Sequence, residues 1–297
     1  MTEDSSSEGP PSPEEEAPAS GRGTAFRFFL LPLLVVGTAV AVFWIFSRMT
    51  FERRSPADYL EEVRGGTANR RWQAAFELSR SLPNLEPPER EALAAETLRI
   101  FQALSPTRPD DVPVRRYLVL VLGKLSDPAA LEPLLAATRD PDEDTRLYAV
   151  WALGKLGDAR ALPAVTEASL SEDAGMRKMA AYVLGQLHDK SAAPRLEVLL
   201  GDPIADVRWN AAIALASLGD GAGLPVLRSM IDREALGRQA SLTADQAETA
   251  MVGAAKALAM LRDPESRPLL EKAAKEDPNL RVRAAARDAL AALGSRP

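Results

Sequence analysis

Three columns of identical residues recur at a spacing of 31 along the middle of the chain, and this limits the possible folds more than any other feature. Arg115, Arg146, Arg177 and Arg208 form one column, Leu122, Leu153, Leu184 and Leu215 a second, and Asp127, Asp158, Asp189 and Asp220 a third. Three columns in one register exclude coincidence. The period is too long for a heptad array and suits two short helices joined by turns, the unit of an α-solenoid. Such a unit cannot bury its apolar face alone, so it must stack on its neighbours.

The residues between the columns agree. Val114, Leu118, Leu122 and Leu125, like Ala149, Ala152, Leu153 and Leu156, place one apolar face on the first helix of each unit. Gly123, Gly154 and Gly185, with Ala216 in the fourth unit, are expected where neighbouring backbones approach closely. The Asp column falls at the turn, where a carboxylate can cap the start of the second helix. Pro133, Pro163, Pro194 and Pro225 follow, and proline fits only a helix's first turn. Each column arginine follows an acidic turn such as Asp140-Pro141-Asp142-Glu143-Asp144, Glu172-Asp173 or Gly201-Asp202-Pro203, so a ladder of Arg–Asp pairs between units is expected.

This combination, clearest in Ala-Leu-Gly-Lys-Leu-Gly-Asp at 152–158, resembles the HEAT-like repeats of bilin lyases and many bacterial scaffold proteins. The resemblance covers residues 69–297 and implies an all-α solenoid of about six helix pairs. It specifies the fold far more than the function. Two units depart from the period, because Arg71 to Arg115 spans 44 residues and Leu215 to Leu258 spans 43. The first insertion is expected in a longer second helix, Pro88–Leu104, and the loop 105–113, and the second in a loop over 233–242. Thr243 and Gln246 then read as a capping box, and a lone helix from Leu280 to Leu293 closes the array.

Ahead of the repeats the chain changes character. Residues 1–24 are rich in Ser, Pro, Glu and Gly, and the first 21 of them carry the whole net charge of −6, so a disordered acidic tail is expected. The uncharged stretch from Phe28 to Ser47, within a segment 25–48, has 20 residues, the length of a transmembrane helix. Trp44 suits the interfacial belt, and Arg48, Arg53 and Arg54 follow, where they can meet lipid headgroups. These arginines, with Arg64, Arg70 and Arg71 beyond, favour a single-pass anchor in a bacterial inner membrane with the repeat body in the cytoplasm. Residues 49–68 read as a basic juxtamembrane segment ending in a short helix capped by Ser55-Pro56.

Chemistry has little to build on. With no cysteine and one histidine, His188, the chain lacks the partners for a thiolate metal site, a Cys–His pair or a Ser-His-Asp triad. His188 holds the turn position that Gly157 and Gly219 hold in neighbouring units. Gly219, Gly221 and Gly223 lack the Gly-Lys-Ser/Thr ending of a phosphate loop, and no histidine precedes a glutamate, as metal-binding hydroxylases on similar repeats require. Beyond the tail the charge balances, so nucleic acid is not an expected partner. No catalytic residue, cofactor or metal is expected. Tyr117, Tyr148, Tyr182, Trp151 and Trp209 are assigned to packing between units. The second helices offer Glu132, Arg139, Glu167, Arg195, Glu197 and Arg228, and the second insertion adds Arg233 and Arg238, a mixed-charge face suited to a protein partner. The expected function is a membrane-anchored, non-enzymatic scaffold. The alternatives are a bilin-lyase-like enzyme or chaperone acting on a tetrapyrrole, and behind that a nucleic-acid-binding repeat protein.

Overall fold

A computed structural model describes residues 31–50, 54–239 and 242–294, without the side chains of 31, 32, 46–50 and 239. The chain divides into two compact units, Met1–Arg54 and Ser55–Pro297. The acidic tail, Phe28 to Leu30 of the expected span, Arg53 and the side chain of Arg48 lie outside the described residues.

The first unit contains helix α1, Leu31–Thr50. Its apolar side chains are bare, with Leu33 71%, Phe43 72% and Trp44 62% exposed. Among the described residues no helix is long and apolar enough to cross a membrane. The membrane-spanning helix expected from the sequence is thus not supported.

The second unit is a stack of helices. It begins with α2, Pro56–Gly65, where Ser55 Oγ accepts from Asp58 N at 3.2 Å and the Asp58 carboxylate accepts from Ser55 N at 2.7 Å. Leu60 and Val63 of α2 are buried, so this helix belongs to the compact unit that opens at Ser55. Six pairs follow: α3 (Ala68–Arg80) with α4 (Pro87–Ala103), α5 (Val112–Leu125) with α6 (Leu131–Ala137), α7 (Glu143–Leu156) with α8 (Leu162–Ala168), α9 (Ala174–Gln186) with α10 (Ala193–Leu199), α11 (Ala205–Ser217) with α12 (Leu224–Ile231), and α14 (Ala244–Leu261) with α15 (Arg267–Glu276). Helix α16, Leu280–Gly294, closes the stack.

Each of the four regular second helices opens with one 3₁₀ turn capped by the Asp column. Asp127, Asp158, Asp189 and Asp220 accept from the backbone N–H two residues on at 2.8, 2.9, 2.9 and 2.8 Å. The residue ahead of each turn must reverse the chain: Ser126, Gly157, His188 and Gly219 hold φ of 53°, 70°, 51° and 77°. His188 thus fills a left-handed turn position. The glycine column also performs as expected. A Cβ at Gly185 would lie 2.7 Å from Ala214 Cβ and 2.8 Å from its Cα, and one at Gly123 would meet Ala152 at the same distances.

The first insertion falls in α4 and the loop behind it, as the sequence implies. The second is partly a helix. Residues Arg233–Gln239 form α13, where a loop was expected, because Asp232 Oδ1 accepts from Glu234 N at 3.0 Å and Leu236 is buried against the stack. Thr243 and Gln246 form the capping box of α14.

Candidate protein-binding face

The turns between repeats are clamped by arginine. Nη1 of Arg146 donates to Asp140 O and Pro141 O (2.9 and 3.1 Å), that of Arg177 to Ser171 O and Glu172 O (3.0 and 2.8 Å), and that of Arg208 to Asp202 O and Pro203 O (2.8 and 3.0 Å). Each column arginine therefore fixes the turn ahead of its own helix. After the first insertion, Arg115 Nη1 binds Phe101 O and Leu104 O instead, at 3.2 and 3.0 Å.

In the units of Arg115 and Arg177 the rest of the guanidinium also reaches forward to an aspartate. Arg115 Nε and Nη2 both donate to Asp140 Oδ2, at 3.2 and 2.7 Å, and Arg177 binds Asp202 through Nε–Oδ2 at 2.7 Å and Nη2–Oδ1 at 3.1 Å. Arg71 to Asp111 and Arg233 to Asp277 continue the theme at the two insertions. The expected ladder breaks between them, because the residue where Arg146 would find its aspartate is Ser171. The neighbouring row skips the same unit: Arg116 holds Asp142 at 2.8 and 2.6 Å, Lys178 holds Asp206 at 3.1 Å, and the position between is Leu147. The Arg116 hydrogen bonds hold the Asp142 carboxyl at about 2. Arg177 and Arg228, likewise hydrogen-bonded, depress Asp202 and Asp263.

The eight candidates for partner binding separate into two groups. Arg195 is committed to Ser169, through Nε–Oγ at 2.6 Å and Nη2–O at 2.7 Å; Arg228 binds Asp263 at 2.9 and 2.7 Å and Glu265 at 2.7 Å; Arg233 binds Asp277 at 2.7 and 2.8 Å. These three hold the stack together. Glu132, Arg139, Glu167, Glu197 and Arg238 are exposed, and Arg139 Nη2 donates to Glu167 Oε2 at 3.0 Å from one second helix to the next. A cleft of about 550 Å³ opens beside Glu132 and Arg139, lined also by Phe101, Pro106 and Asp140. A smaller one of about 220 Å³ lies where α13 meets the turn before α16, between Arg233, Glu234, Lys272 and Asp277.

The aromatic residues pack, as expected. Trp209 is buried, the Tyr117 ring meets Phe76 edge-on at 5.1 Å, and burial pushes the Tyr148 phenol up. Of the five aromatic residues assigned to packing, Tyr182 is the most exposed, at 39%, and accepts from Gln186 Nε2 at 2.6 Å. Among the described residues no group of three or more acidic or histidine side chains is placed to hold a metal ion. Sequence reasoning passed over two exposed residues of the second-helix face, Leu170 and Val198; the signal was available, since both stand where the preceding unit carries charge.

Residues 99–181 and 168–244 match HEAT repeats, and residues 252–276 match the PBS lyase HEAT-like repeat. With the stacked helix pairs, these matches define a HEAT-repeat solenoid. A chain from the complex of CpcE and CpcF of phycocyanin lyase from Nostoc sp. PCC7120 is similar in structure, with a TM-score of 0.54 at 17% identity over 81% of this chain and 95% of that one. YibA of Escherichia coli gives 0.51 at 15% identity, over 81% and 82%. At such identities the likeness is one of fold. No curated protein matches the sequence.

Proposed function

We propose that this chain is a non-enzymatic scaffold that holds a protein partner on the second-helix face of its HEAT repeats and is anchored to a membrane by α1. The observation that carries the reading is the division of the charged residues. One set is consumed in clamping turns, while Glu132, Arg139, Glu167 and Glu197 remain exposed, the first two on the wall of an open cleft. A surface of this mixed polarity suits a protein more than a polyanion. Full-length protein used as bait in gently solubilised membranes should return the same partner in independent captures, and Glu132→Lys with Arg139→Glu should weaken it. If no partner recurs, the reading is wrong.

The anchor is supported by the row of bare apolar side chains from Leu33 to Ile45, which water would not tolerate on a free helix. On this reading Trp44 sits at the interface, Arg48, Arg53 and Arg54 meet the headgroups, and the repeats face the cytoplasm of a bacterial cell. Alkaline carbonate should leave the protein in the membrane pellet, and its release into the supernatant would remove the anchor. A C-terminal reporter active only outside the cytoplasm would reverse the orientation.

A second reading is favoured by the PBS lyase HEAT-like repeat at 252–276: action on a tetrapyrrole, as enzyme or chaperone. Incubation with a bilin should then shift the pigment's absorbance, and an unchanged spectrum decides for the scaffold.

A further inference from the structure

Successive second helices carry different rungs at the same register. Between α6 and α8 the rung is the Arg139–Glu167 pair. One repeat of 31 residues later the same two positions hold Leu170 and Val198, which are 65% and 63% exposed, and one repeat further they hold Gly201 and Ser229. A single apolar rung thus interrupts a polar face. Two large aliphatic side chains left bare contribute nothing to the stack and invite a cover.

The charges nearby show what kind of cover fits. Arg139 is neutralised by Glu167, Arg195 is bound to Ser169, and Arg228 is bound to Asp263 and Glu265. The carboxylates of Glu132 and Glu197 make no hydrogen bond or ion pair among the described residues. The rung is apolar, the three arginines Arg139, Arg195 and Arg228 are occupied, and Glu132 and Glu197 are exposed carboxylates without an ion pair among the described residues.

We propose that Leu170 and Val198 anchor a basic segment of a partner protein, with one or two large apolar side chains covering the rung and flanking lysines or arginines meeting Glu132 and Glu197. The inference rests on the scaffold reading and narrows the partner's chemistry. Desolvation of the aliphatic pair supplies affinity, and the carboxylates supply selectivity and speed of encounter.

The test uses full-length protein in nanodiscs of neutral lipid and fluorescent peptides of about a dozen residues. One carries lysines around two central leucines; its counterparts replace the lysines by glutamate or the leucines by serine. The basic apolar peptide should bind at least about tenfold more tightly than either counterpart, and Leu170→Ser with Val198→Ser should remove that advantage. Glu132→Gln with Glu197→Gln should weaken binding at low salt and little at high salt. Leu280→Ser, at an exposed leucine elsewhere, should change nothing. Equal binding of acidic and basic peptides, or unchanged binding by the double serine variant, overturns the proposal. So does a rung covered by a second copy, seen as self-association that the serine variant abolishes. A natural partner captured equally by wild type and the serine variant sinks the rung but leaves the scaffold standing, whereas failure to capture any partner removes the scaffold itself.

Discussion

Arg177 grips Asp202 with two parallel hydrogen bonds, Nε–Oδ2 at 2.7 Å and Nη2–Oδ1 at 3.1 Å, while its remaining nitrogen holds the carbonyls of Ser171 and Glu172. One side chain thereby ties its own helix to the turn before it and to the turn after its partner helix. Asp202→Asn should cost about 2 kcal/mol, the worth of charge-assisted hydrogen bonds to a half-buried guanidinium, because the guanidinium keeps its backbone acceptors but loses its counter-charge. Urea denaturation of the variant checks it; an unchanged midpoint would show the pair to be ornamental.

Ser171 sits where Asp140 and Asp202 sit in the flanking turns. Both aspartates also accept from the N–H two residues on, Asp142 N at 3.0 Å and Ile204 N at 2.9 Å, and Ser171 Oγ already accepts from Asp173 N at 3.2 Å. An aspartate therefore fits the turn as it stands. Ser171→Asp should gain about 1 kcal/mol by giving Arg146, whose carboxylate partner is the exposed Glu143 at 3.4 Å, a buried forward aspartate, and Arg146→Ala should erase that gain in a double-mutant cycle.

Two glycines should respond to alanine with opposite signs. At Gly185 the new methyl would meet the Ala214 backbone at 2.8 Å, so Gly185→Ala should destabilise by about 1–3 kcal/mol despite alanine's better helix propensity. At Gly237, within α13, no atom of the described residues lies within 4 Å, and the same change should stabilise by up to about 1 kcal/mol. Thermal melts of the two variants, compared in sign, give the answer.

Asp142 tests the electrostatics. Its carboxyl is held at about 2, below the 3.8 of an unperturbed aspartate, chiefly by hydrogen bonds from Arg116. A depressed native value means that the unfolded chain takes up the proton first. The stability it contributes is whole above about pH 4 and drains away as pH falls towards 2. Asparagine preserves the cap on α7, so the gap between wild type and Asp142→Asn should be constant near neutrality and close over that interval. A gap that persists undiminished at pH 2 would assign the effect to the cap.

Much of this fold was legible in advance because its determinants are local and periodic. The Asp caps, the left-handed turn at His188, the close glycines and the capping box at Thr243 each follow from a few neighbouring residues repeated in register. What escaped depends on longer range. The arginine ladder read as continuous, although Asp140-Pro141 and Asp202-Pro203 recur at two repeats and Ser171 intervenes. Helix α13 was read as loop because its burial at Leu236 and its tie from Arg233 to Asp277 involve residues far along the chain. The signal that was available, Asp232 as a cap, lay beside a glycine-containing polar stretch. For the same reason α2 looked separate: its buried face is only two residues, Leu60 and Val63, and the elements they pack on come later. On the partner face, type of residue was a poor guide, since Arg195, Arg228 and Arg233 resemble Arg139 in sequence and differ only in what stands opposite.

The missing aspartate at 171 and the missing cation at 147 fall at one joint, between the α7–α8 and α9–α10 pairs. Across it Arg195 to Ser169 is a side-chain tie, whereas the joints on either side carry an arginine–aspartate grip and a second ion pair. A beam pinned more weakly at one point does not flex evenly. Fewer polar ties hold that joint, next to Leu170, than hold the joints on either side, so a cover over the aliphatic rung would also act as a splint across it.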